Sequence, residues 1–354
     1  SLSEGNAANT TKAQSIQSDF ASISRIKQLT QEVTDGVTNH ADLTDQKNKL
    51  VERKGLMIRM MKDRNPGLLR LVFPSDVRAK LSPDQQADVE KPIAITASLE
   101  MIHTDHFQDK TDTFSYWLKK GVLRYDYYPL GGERTLVSGS TVSVNGYILG
   151  SQIFSPIDST SFKVLKQAKV KSAVGPQKFL FVLLQYQDAL PPPYTVSEAD
   201  TLIFHEQLQK FYQEASYNQM TLAGDVAPKW YTIPKPSLNS SGGCQSPNFI
   251  PDDPLSDDVY KLIKSDVDVT QYGGIVLMIN STCYGGGMAS VGTFQIPIGG
   301  IPYSLSEAWV SANTRDQWQM EQPFPWTYNT YVLAHELGHN LGVWHANSWN
   351  CASV

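Results

Sequence analysis

The stretch that most constrains this chain is HELGHNLGVWH, residues 335–345, where three of the seven histidines and one glutamate share eleven positions. His335 and His339 are four apart, so on a helix they lie one turn apart on a single face and can reach one ion. Glu336, one step round the helix, points beside that ion. A helix continued to His345 would carry it about 9 Å along the axis from His339. That is too far to share a metal at bond lengths of about 2.0 Å. Gly342 removes the conflict, because glycine accepts the positive φ that ends a helix and lets the chain turn back. Three imidazoles then converge and leave one coordination position open.

An open position separates catalytic zinc sites from structural ones, whose four protein ligands close the shell. A water held there has its pKa lowered to roughly 7, and Glu336 is placed to take its proton. The spacing therefore predicts a zinc hydrolase, with His335, His339 and His345 as ligands and Glu336 as general base. Leu333, Leu337 and Leu341 form a stripe at spacing four that suits packing against a sheet, with Asn329 or Thr330 as the helix cap.

Composition narrows the remaining choices. A net charge of −5 without a dense lysine or arginine cluster argues against a nucleic-acid partner. The longest apolar runs, FLFVLL and IVLMI, are far short of a membrane helix and read as buried strands. The opening residues SLSEGNAANTTKAQS are polar throughout, so the protein is cytosolic or has lost a leader. The odd set Cys244, Cys283 and Cys351 favours the second. Cys244 and Cys283 are either bridged or two buried free thiols. No GxSxG elbow or phosphate-binding loop occurs, although YGGGMASVGTF is rich in glycine.

At 354 residues the chain is expected to form two or three domains. Residues 1–91 read as helical: Ile16, Phe20, Ile23, Ile26, Leu29 and Val33 recur at helical spacing, and Asp35-Gly36 separates them from a second helix. Residues 92–153, rich in β-branched and aromatic residues, read as a small sheet or barrel. His103 and His106, near Asp105 and Asp109, read as surface or turn histidines. Residues 154–176 lack periodicity and read as a linker, with Lys169 and Lys171 as a processing site. Residues 177–354 alternate strands and helices, including one long helix over Ser197–Asn218 and the His205-Glu206 pair on its surface, and so imply an α/β sheet.

The extended motif is the zinc signature of the metzincin metallopeptidases. Within that clan the chain resembles the gametolysin family, through LAHELGHNLGVWHANSWNC, KFLFVLLQYQD, FYQEASYNQMTLAGDV followed by WYTIP, and CYGGGMASVG, over residues 177–354. Residues 93–150 resemble, less specifically, the small β-domain that precedes the family's peptidase domain. The founding algal enzymes carry glutamine where His335 stands, so this chain follows the commoner metzincin pattern. The resemblance implies a secreted zinc metalloendopeptidase acting on extracellular or cell-wall polypeptides. It makes residues 284–294 the edge strand of the sheet, beside which an extended substrate would add. A metzincin also carries a methionine turn beneath its zinc, yet nine residues follow His345 and none is methionine. The expectation is thus a multidomain chain whose metzincin-like α/β peptidase domain is C-terminally incomplete, preceded by a helical segment and a small β-domain. Two rivals share the pattern: a secreted surface-binding protein that uses an inactive peptidase fold as scaffold, and a zinc hydrolase of some other bond.

The turn at Gly342 is open to test. Gly342→Val removes no ligand but denies the positive φ, so the variant should lose zinc to a competing chelator faster than the parent does. Equal retention would refute the turned-back geometry.

Overall fold

Apolar residues at spacings of three and four build the first helix, α1 (Leu2–Thr38), whose Ile26, Leu29 and Val33 are fully buried while Phe20 faces solvent. The structure is a computed structural model that describes residues 2–39, 42–106, 111–131, 136–168, 172–187, 191–234, 254–280, 287–298, 301–312 and 328–345. All three cysteines, Asp109, Lys169 and Lys171 lie outside these residues. The chain is an α/β protein that divides into two compact units. One comprises Ser1–Leu99, Tyr116–Thr135 and Thr141–Lys166; the other comprises Glu100–Ser115, Leu136–Ser140 and Gln167–Val354.

In the first unit α1 runs through Asp35-Gly36, where the sequence predicted a break, because Gly36 is itself buried and Val33 and Val37 pack into the core on either side. The break comes at Asp42, whose carboxylate accepts from the Thr44 and Asp45 amides and so starts α2 (Leu43–Lys62). Two short proline-led helices follow, α3 (Ser75–Lys80) and α4 (Pro83–Gln86), the latter closed by a capping box between Ser82 and Gln85. The strands are β1 (Lys91–His106), β2 (Thr111–Lys120), β3 (Leu123–Leu130), β4 (Thr141–Leu149), β5 (Gln152–Pro156) and β6 (Phe162–Lys166). The first half of β1 pairs antiparallel with β4, β4 with β5, β5 parallel with β3, β3 with β2, and β2 with β1, so five strands close a ring. β6, inside the stretch read as linker, adds to β4. Met57, Met60 and Met61 of α2 pack with Leu130, Leu149 and Phe154 of these strands.

One ion pair is sealed inside this unit. Arg53 and Glu90 are fully buried and joined by two hydrogen bonds, from Nη1 to Oε2 at 2.7 Å and from Nη2 to Oε1 at 3.1 Å. Arg53 also donates to the Leu71 carbonyl and the Thr30 hydroxyl, and Glu90 accepts from the Phe73 amide.

The second unit is built on a mixed sheet. β7 (Gly175–Tyr186) runs parallel to β8 (Met220–Val226) and β9 (Tyr231–Ile233) on one side and to β10 (Gly274–Asn280) on the other. β7 and β10 read as apolar runs because they are buried on both faces. Further out come β11 (Gly287–Ser290), β12 (Phe294–Ile298) and β13 (Ile301–Ser311). β13 runs parallel to β10, and both β11 and β12 pair with it antiparallel.

The helices are α5 (Val196–Asp200), α6 (Gln207–Ala215), α7 (Pro254–Ile263) and α8 (Tyr328–Asn340). α5, a π turn over Thr201–His205 and α6 replace the single helix expected over Ser197–Asn218. Thr201 bonds back to the Ser197 carbonyl, Glu206 leaves helical geometry, and left-handed Tyr217 and Asn218 end the run. Asn329 and Thr330 lie within α8 and do not precede it; Thr330 is buried and bonds Gln207 of α6. Leu333 and Leu337 of α8, and Leu341 just after it, pack with Phe181, Val276, Ala289 and Val310 of the sheet, as their spacing predicts.

Glu90→Ala leaves the Arg53 charge sealed without its partner. It should destabilise the protein by about 3–5 kcal/mol, read by denaturant unfolding. A loss below about 1 kcal/mol would show that water or another carboxylate reaches Arg53.

Candidate metal centre

α8 ends as the sequence requires. Gly342 has φ +87°, its amide donates to the His339 carbonyl at 2.8 Å, and the Val343 amide donates to the Gly338 carbonyl at 2.9 Å. This pair of bonds is the Schellman arrangement, and it reverses the chain. His345 is brought back until its Nε2 lies 3.0 Å from His335 Nε2, which is itself 3.2 Å from His339 Nε2. Donor atoms on a tetrahedron with bonds of 2.0–2.1 Å stand about 3.3 Å apart, so this spacing is that of ligands around one small cation.

Two more residues join them from the second half of β1. Asp105 Oδ2 lies 3.0 Å from His335 Nε2 and Oδ1 lies 3.1 Å from His345 Nε2. His103 Nδ1 lies 2.9 Å from His339 Nε2 and 3.2 Å from Asp105. The five donors, all within the second unit, lie within 4.8 Å of one another and can hold a metal ion. His103 is thus not the surface or turn residue its local sequence suggests; it is 1 % exposed, and its ring stacks on Phe114 at 4.4 Å. For His106 the structure describes only the backbone, at the end of β1. His205 stays on the surface beside Asp200.

Hydrogen bonds outside the cluster set which ring nitrogens face inward. His339 Nδ1–H donates to the Val343 carbonyl at 2.9 Å, leaving the Nε2 lone pair pointing into the cluster. His103 Nε2 lies 3.0 Å from the Asp112 carboxylate, which orients its Nδ1 toward the same point. With the proton on Nε2, two lone pairs meet 2.9 Å apart; with it on Nδ1, a lone pair meets the Asp112 carboxylate. Only a positive charge relieves both conflicts, supplied by a shared cation or by protonation of the ring. Burial opposes the protonated ring, but Asp105 and then Asp112 outweigh it and raise the His103 pKa. Burial likewise works against the Asp105 carboxylate, yet His103, His335 and His339 hold its pKa far below the usual range. Imidazole nitrogens with one carboxylate suit zinc and other first-row ions better than calcium or magnesium.

Glu336 is fully buried, and neither carboxylate oxygen has a hydrogen-bond partner among the described residues. Burial, and then the charge of Asp105, push its pKa well above the usual carboxylate range. Its side chain lies against Gly287 of β11, where an added Cβ would come within 2.1 Å of Oε1. Gly287 belongs to the glycine run that offered no phosphate-loop motif; it provides the berth for Glu336. Asn340 fixes the end of α8 to the sheet by donating to the Ser290 and Glu307 carbonyls at 3.0 and 2.9 Å.

β11 is not an edge. It pairs with β13 on one side and with Ile102–Asp105 of β1 on the other, so its backbone groups on that side already have partners. Sequence reasoning missed His103 and Asp112 as site residues. The available signal was His103-x-Asp105 at the two-residue period of a strand, which sets both side chains on one face. No family model matches the chain, and no curated protein matches it either.

Gly287→Ala forces Glu336 out of its berth without touching a donor. The metal-free variant should lose about 1–3 kcal/mol of stability, measured by denaturant unfolding. Stability equal to the parent would mean that Glu336 moves freely.

Proposed function

We propose that the protein is a zinc-dependent metalloendopeptidase of metzincin type, resembling the gametolysin family, secreted, and directed at extracellular or cell-wall polypeptides. The observation that carries this reading is Glu336, buried and without a hydrogen-bond partner among the described residues, on the same helix as two of three converging imidazoles. A buried carboxylate with no hydrogen bond is costly unless function retains it. A helix bearing the motif, packed on a mixed sheet whose strand β11 runs antiparallel to its neighbour β13, further supports a metzincin-like domain.

His335, His339 and His345 would hold the ion, with the Val343 carbonyl fixing the ring of His339. When bound there, zinc supplies Lewis-acid polarisation of the scissile carbonyl and acidifies a water. Glu336, whose pKa burial raises above the usual carboxylate range, takes the proton of the attacking water and delivers it to the leaving amine. Strand addition of an extended peptide at β11 would require Ile102–Asp105 of β1 to give up its pairing first.

A second reading has its own support. Five donors exceed what a catalytic zinc needs and suit a permanently closed site, as in a surface-binding protein built on this fold. Peptide-library cleavage separates the two. Glu336→Gln keeps the shape of the side chain and should leave zinc content unchanged while hydrolysis falls about 10²–10⁴-fold. Cleavage at the parental rate, or no cleavage by any form of the protein, would reject the peptidase reading.

A further inference from the structure

The hairpin between β2 and β3 ends in an apolar apex. Lys120 pairs with Leu123, so the turn consists of Gly121 and Val122, and Gly121 at φ +62° supplies the left-handed backbone that so tight a turn needs. Val122 is 98 % exposed and Leu123 55 % exposed. Such turns are ordinarily filled by small polar residues, and at this exposure Val122 adds almost no burial to the fold. The flanks are cationic. Lys119, Lys120 and Arg124 stand beside the apex, and no aspartate or glutamate occurs between Asp112 and Asp126. Lys119 and Arg124 are direct cross-strand partners, an opposition of like charges that works against the pairing. The Arg124 guanidinium lies 4.3 Å over the Trp117 ring, whose indole N–H donates to Asp126 at 3.0 Å.

We propose that this hairpin tip seats the protein on an anionic phospholipid surface. Val122 and Leu123 enter the boundary between headgroups and acyl chains, while Lys119, Lys120 and Arg124 meet the lipid phosphates. An apolar point flanked by cations matches a bilayer in particular, because there apolar chains lie directly beneath a layer of negative charge. A soluble polyanion offers the charge but nothing for Val122 to enter. The chain as a whole carries a net charge of −5, so an anionic surface repels most of the protein and draws in this tip, which fixes the orientation of approach. A single tip with two apolar residues gives reversible attachment. The hairpin belongs to the first unit, so attachment does not depend on the metal centre or on what that centre does.

Cosedimentation of the full chain with vesicles of phosphatidylcholine alone, and of phosphatidylcholine mixed with phosphatidylglycerol, reads the attachment. The parent should bind the mixed vesicles only, and binding should weaken as salt is raised. Val122→Ser, which leaves the charge unaltered, and Lys120→Glu should each weaken it about tenfold. Both side chains are exposed, so neither change disturbs the core. Val122→Trp should bind more tightly, and brominated acyl chains should quench its emission beyond any quenching seen in the parent. No binding of the parent to mixed vesicles, or binding that Val122→Ser leaves undiminished, overturns the proposal. Heparin binding that Lys120→Glu weakens and Val122→Ser does not, with the same pattern on vesicles, makes the tip a site for polyanions and overturns it too. Self-association of the parent that Val122→Ser abolishes, without vesicle binding, assigns the tip to a second copy of the chain instead.

Discussion

Five electron-pair donors converge on one point, and that convergence organises the second unit. Imidazole lone pairs and a carboxylate within 4.8 Å of each other repel or compete for protons unless a cation sits among them. The surrounding structure supplies the force that holds them there. The turn at Gly342 returns His345, the Val343 carbonyl and the Asp112 carboxylate orient two rings, and the pairing of β1 with β11 delivers Asp105. Asn340 ties the end of α8 to β11 and β13, so the histidines move with the sheet.

What the sequence made legible followed from local spacing. His335, His339, Gly342 and His345 could be placed because a helix and one turn determine their geometry, and Leu333, Leu337 and Leu341 named the packed face. His103 could not be placed in this way. Its partner His339 is 236 residues away, and only the pairing of β1 with β11 brings them together. Asp105, read from the sequence only as a neighbour of His103 and His106, depends on the same pairing for its place in the cluster. β6 was hidden for a related reason: four of its five residues are exposed, so no buried alternation marked it as a strand.

Glu336 shows a different tension between folding and chemistry. A carboxylate buried without a hydrogen bond lowers stability, and the backbone must leave room for it at Gly287. The second unit offsets this cost with apolar burial, as along β7 from Phe179 to Leu184. The first unit handles buried charge in the opposite way, surrounding Arg53 and Glu90 with partners until each has several. One interior keeps its charged group satisfied and static; the other keeps its group available.

The distance along the chain between the two halves of the metal cluster also fixes when it can exist. Asp105 and His335 are separated by 230 residues, and β11, which aligns them, comes late in the chain. A chain emerging from the ribosome at about 5–20 residues per second makes His103 and Asp105 many seconds before their partners. During that interval two donors alone would hold an ion only weakly. Assembly of the five donors therefore waits for β11 and α8, and a nascent chain stalled before residue 335 carries only His103 and Asp105 of the cluster.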